Sequence, residues 1–151
     1  MRLSHMLLLL ASGCSCLSVP TADVTPPTAG LTVEYRMPGG ARVAKSVQVG
    51  DPDLTIVASP NDVIAVLYSG GDDEGVRKVE LQYETWHRIG CCSVQQGQTV
   101  AKFQESHCPK KVLLGDESFD PGGGWNFRFR TRSDNWLSTS SRTPTVTVTT
   151  Q

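Results

Sequence analysis

Long hydrophobic runs of membrane-spanning length are missing from this 151-residue chain. The apolar run at its amino end, Met6 to Leu10, is far below the roughly 20 residues a spanning helix needs. An excess of one charge is missing too. The chain has 14 basic against 15 acidic side chains and a formal net charge of −1, which gives no ground for nucleic-acid binding or for a membrane surface held by charge. Neither Cys-x-x-Cys nor His-x-x-x-His spacing occurs, so no standard zinc motif is present. No catalytic triad or pair of carboxylates stands out, and no cofactor is called for. There is no internal repeat, and no stretch of ten or more residues carries a helical stripe. These absences favour a non-enzymatic protein of one domain.

What is present begins at the amino terminus. Arg2 and His5 precede the Met6–Leu10 run, and Ala11-Ser12-Gly13-Cys14 follows it. A basic start, a short apolar core and small residues before a cut site describe a secretory signal. The ending resembles the lipobox of bacterial lipoproteins, with Ala11 where leucine is commonest. The resemblance implies lipidation of Cys14 by a diacylglyceryl thioether, cleavage before it, and acylation of the new terminus by a fatty acid such as palmitate. It also implies a cell-envelope location with a lipid anchor. Ser15 replaces the aspartate that favours inner-membrane retention in enterobacterial lipoproteins, which favours the outer membrane. The expected organisation is a signal over 1–13, a Pro/Thr/Ser tether over 14–29 and a folded domain over 30–151. Several acyl chains, at roughly 0.8 kcal/mol per buried CH₂, would hold such a protein durably on the membrane.

From Leu31 onward the hydrophobic period is two. Val79, Leu81, Tyr83 and Thr85 alternate with Lys78, Glu80, Gln82 and Glu84, and Trp125, Phe127, Phe129 and Thr131 alternate with Asn126, Arg128, Arg130 and Arg132. Further strands are predicted at Leu31–Met37, Arg42–Val49, Asp53–Ser59, Val63–Ser69, Thr99–Gln104 and Thr143–Thr150. Turn clusters separate them: Pro38-Gly39-Gly40, Gly50-Asp51-Pro52, Ser59-Pro60-Asn61 and Gly70-Gly71-Asp72-Asp73. Val112–Leu114 is assigned to a single turn. Seven to eight short strands in one domain predict an all-β, antiparallel sandwich.

Pro26-Pro27-Thr28, the Asp73-Glu74-Gly75-Val76-Arg77-Lys78-Val79 step, the Phe127–Asp134 strand and Thr145-Val146-Thr147-Val148 together resemble bacterial immunoglobulin-like and fibronectin type III-like modules. Asn135-Trp136 stands where those modules carry Gly-Asn, and Cys91, Cys92 and Cys108 fall between the matching blocks. The resemblance implies an immunoglobulin-like β-sandwich. That fold serves adhesion, carbohydrate contact and spacing, so it names no single function.

Five cysteines, Cys14, Cys16, Cys91, Cys92 and Cys108, suit an oxidising compartment. With Cys14 lipidated, four remain as disulfide candidates, with three possible connectivities. A bridge from Cys91 or Cys92 to Cys108 would close a loop of about 17 residues, worth roughly 3 kcal/mol, and the remaining cysteine could reach Cys16. The sharper alternative is a metal-binding or redox protein that uses His87, Cys91, Cys92, His107 and Cys108. A Cys–His hydrolase is a further alternative, though no oxyanion pocket is announced.

Arg128, Arg130 and Arg132 form a basic stripe, read either as a platform for an acidic glycan or as cross-strand partners of Glu80 and Glu84. Trp125 is in the inward phase of its strand, while Trp136 lies in the loop beyond and is a candidate for stacking on a sugar or partner protein. The acidic groups Asp51/Asp53, Asp72–Glu74 and Asp116/Glu117/Asp120 lack a complete calcium-loop pattern and are read as solvated turns. Pro121-Gly122-Gly123-Gly124 leads into a strand without a Lys-Ser/Thr step and is a turn, not a phosphate loop. The expected partners are therefore the membrane, through lipid, and an envelope protein or glycan.

Overall fold

The computed structural model describes residues 21–22, 25–91 and 93–151. The expected signal segment and lipidation site, Cys14, together with Cys16 and Cys92, lie outside the described residues. Every regular element that is described is a strand: β1 Thr28–Arg36, β2 Arg42–Gln48, β3 Leu54–Ala58, β4 Ile64–Ile89, β5 Ser93–Phe119, β6 Asn126–Asn135, β7 Ser140–Arg142 and β8 Val146–Thr150. The all-β class expected from period-two patterning holds, with eight strands.

One long hairpin forms the spine. β4 and β5 pair from Ile64 opposite Phe119 to Ile89 opposite Ser93. On its other edge β4 changes partner, meeting β1 through Ala65–Gly71 and β6 through Val76–Trp86. The sheet order is β2-β1-β4-β6-β8-β3, with β7 also on β6. Two expectations fail along this hairpin. Gly70-Gly71-Asp72-Asp73 does not end a strand, because β4 runs on through a bulge where the register slips between Gly71 and Val76. Asp72 Oδ1 accepts the Glu74 and Gly75 amides at 3.0 Å each, so the carboxylate holds the kink that a turn would otherwise have made. Val112–Leu114 is strand rather than turn, paired with Gly71, Gly70 and Ser69.

The sheet is mixed rather than wholly antiparallel. β3 pairs with β8 in parallel, Leu54 beside Val146 through Ala58 beside Thr150. The cause is local: Asp53 Oδ1 accepts the Thr145 amide at 2.7 Å and the Leu54 amide donates to Thr145 O at 3.0 Å. Both strands thus start side by side and run the same way.

Inward residues of nearly every strand meet in one cluster, among them Val33, Val47, Ile56, Val66, Leu81, Phe129 and Val148. Strands at the two ends of the sheet order, β2 and β3, therefore cover the same core, and the sheet is wrapped nearly into a barrel. The Ser59 amide donates to Arg36 O at 2.8 Å, tying the end of β3 to the end of β1. Burying each such Val, Leu or Phe contributes roughly 1.5–3 kcal/mol. Phe119 joins the core rings, 4.7 Å from Tyr83 and 4.9 Å from Phe129 between centroids.

Candidate functional site

Period-two alternation decides what the upper half of β4 and all of β6 present to solvent. Val79 and Leu81 turn inward with Phe127 and Phe129. The register then sets Glu80 opposite Arg132, Gln82 opposite Arg130 and Glu84 opposite Arg128 on the outer face. The basic stripe is largely engaged. Arg128 Nη1 lies 2.6 Å from Glu84 Oε1, Arg132 Nε 2.7 Å from Asp134 Oδ1, and Arg130 Nη2 donates to Thr145 Oγ1 at 2.7 Å. Glu80 takes Lys78, Nζ to Oε2 2.8 Å, rather than forming the expected pair with Arg132. That lysine, with a hydrogen bond from Gln82 and the charge of Arg132, holds the Glu80 carboxyl below the usual range against its partial burial.

Two adjoining hollows open on this face. One, of about 220 Å³, is lined by residues including Gln82, Glu84, Thr99, Arg128, Arg130 and Thr145. The other, of about 200 Å³, shares Glu84, Thr99 and Arg128 and extends to Trp86, Val94 and Gln96. The Arg128 guanidinium stands 4.6 Å from the centre of the Trp86 ring while it holds Glu84. The guanidinium is thus fixed by an ion pair on one side and a cation–π contact on the other. Trp86 went unassigned in the sequence, although its phase continues Gln82 and Glu84 outward.

Trp136 lies in the loop after β6 as expected but is not fully exposed. It is half-buried in the turn after β6, and its indole Nε1 is buried with no hydrogen-bond partner. It also lies past Asn135, at the opposite end of β6 from Arg128, so the two do not share a surface. Trp125 is partly buried against the core just before β6, close to the inward reading, with its ring 5.5 Å from that of His87.

The proposed His/Cys cluster is pulled apart by the hairpin. His87 and Cys91 belong to the Ile89/Ser93 end, whereas His107 and Cys108 lie between Glu105, opposite Lys78, and Lys110, opposite Val76. At about 3.3 Å per residue these ends are roughly 40 Å apart along the strand. A disulfide needs Cα atoms within about 7 Å, so Cys91 and Cys108 do not pair, and no disulfide joins two described cysteines. Among the described residues no group of three or more His, Cys, Asp or Glu side chains is arranged to hold a metal. Asp116 and Glu117 lie in β5 rather than in a turn, while Asp51 Oδ2 accepts the Gln48 amide at 2.7 Å and Asp120 Oδ1 the Gly122 amide at 2.9 Å, so these two carboxylates serve the backbone. Pro121–Gly124 is a turn as expected, closed by the Gly124 amide on Pro121 O at 3.0 Å.

Neither the protein-family models nor the curated proteins contain a match to this chain.

Proposed function

We propose that the chain is an exported, lipid-anchored envelope protein whose immunoglobulin-like β-domain binds a ligand without catalysis. The lipobox-like Ala11-Ser12-Gly13-Cys14 supports the anchor and the address. The parallel β3–β8 pairing and the run β3-β8-β6-β4 resemble one layer of an immunoglobulin-like domain, which supports the finer fold reading. The ligand face is the outer side of β4 and β6, centred on Arg128.

One observation carries this reading: Arg128 is fixed between Glu84 and the Trp86 ring beside a hollow bordered by Gln82, Thr99 and Thr145. A half-buried indole offers a sugar an apolar platform, while guanidinium, amide, carboxylate and hydroxyl groups satisfy its hydroxyls. Because each arginine of the stripe is already engaged, the face suits a neutral or weakly acidic saccharide better than a highly charged polymer. The 220 Å³ hollow has one carboxylate on its border, Glu84, and Arg128 occupies it. The two opposed carboxylates of most glycoside hydrolases are not assembled there.

The test is to screen the exported protein against purified oligosaccharides and peptidoglycan fragments, then titrate the best binder by calorimetry. Trp86→Ala and Arg128→Ala should each weaken binding by about tenfold or more, the scale of a lost anchor contact. Trp136→Phe should leave affinity unchanged. Binding that survives both of the first two substitutions places the ligand elsewhere.

A further inference from the structure

β5 is an edge strand. Among the described residues β4 is its sole pairing partner, so its other side presents backbone donors and acceptors along the strand. Such an edge invites another strand unless it is blunted. Over residues 110–117 it carries an unusual outer row: Lys110, Val112, Leu114 and Asp116 are exposed, while Leu113 and Gly115 turn inward. Val112 is 55% and Leu114 70% exposed, and Leu67, 44% exposed, lies on the neighbouring strand opposite Asp116. A solitary domain gains nothing from placing these three aliphatic side chains together in water.

We propose that this stretch is the contact through which two copies of the chain pair, edge to edge and antiparallel, about a two-fold axis at Leu113. The order of the residues specifies the occupant. Directly opposed residues of antiparallel strands face the same side, and a two-fold axis normal to the sheet requires each pairing to occur twice. Centred on Leu113, the axis sets Lys110 opposite the partner's Asp116 and Val112 opposite the partner's Leu114, each in both directions. Lys111 falls opposite the partner's Gly115, a position whose inner side is filled by the Tyr68 ring. Opposite charges therefore flank an apolar middle at equal distances from the axis, a match that an antiparallel copy of the same strand satisfies. Parallel in-register pairing would instead set lysine against lysine and aspartate against aspartate. Pro109, which has no amide hydrogen, bounds the stretch on one side. The dimer would continue the sheet across both copies and leave the Arg128 face open on each.

Sedimentation velocity on the full chain tests this, with Cys14→Ser so that lipid cannot drive association. The expected result is a dimer at micromolar concentration. Asp116→Lys should weaken it by about tenfold or more, since two opposite-charge pairs become like-charge pairs. Adding Lys110→Asp to that variant should restore the dimer. Leu114→Lys, at an exposed position, is a second disrupting variant, and circular dichroism confirms that each variant remains folded. A wild-type chain that stays monomeric, or a dimer that survives both Asp116→Lys and Leu114→Lys, overturns the proposal.

Discussion

Gly75 shows how a single residue can fix the course of a long strand, the 26-residue β4. Its φ of +120° is outside the range that L side chains favour, and a Cβ there would lie 2.6 Å from Pro109 Cβ and 2.9 Å from Pro109 Cα. Backbone strain and a clash with backbone would coincide in Gly75→Ala. Gly39 has a φ of +63° with open space around it, so the same change meets the conformational penalty alone. Urea denaturation should show a loss of about 1 kcal/mol for Gly39→Ala and about 2–4 kcal/mol for Gly75→Ala. Equal losses would mean that the packing of Pro109 over Gly75 contributes nothing. The Arg128 site shows the same dependence on single contacts: Glu84 and Trp86 fix a side chain that would otherwise sweep through solvent.

At the scale of elements, the turn from β6 to β7 is organised by Asn135, which is fully buried. Its Oδ1 accepts the Leu137 and Thr139 amides at 3.1 and 2.9 Å, and its own amide donates to Thr139 O at 3.0 Å. Asn135→Ala would strand two amides and should cost roughly 2–3 kcal/mol in chemical denaturation. Asn135→Asp keeps the acceptor but sets a buried carboxylate oxygen against Thr25 O, where Asn135 Nδ2 donates at 3.3 Å, and should cost at least as much. The alternating strands around this turn were legible because each buries one face, so Phe127, Phe129, Val79 and Leu81 announced themselves. Gly70–Asp73 was misread because glycine and aspartate mark bulges as well as turns, and the distinction depends on whether partner strands continue past them. The half-burial of Trp136 was not legible because a turn residue has no phase. Its burial follows from how Asn135 folds the turn.

At the scale of the molecule, the β4–β5 hairpin sets which distant residues can meet. It brings Glu84, Trp86, Arg128 and Thr99 onto one face and keeps Cys91 and Cys108 at separate ends. Peptide mapping of the non-reduced protein should therefore find no bridge from Cys91 to Cys108, and such a bridge would refute the hairpin register. The sequence by itself determined the all-β class, most of the strand positions and the outward phase of the arginines, because period-two burial is a local property of the chain. Tertiary structure alone decided the parallel β3–β8 pairing, the continuous 26-residue β4 and the Glu84–Arg128–Trp86 contact. Each of these joins segments far apart in the chain, and the register between such segments is set by how the whole sheet closes on its core, which no local pattern encodes.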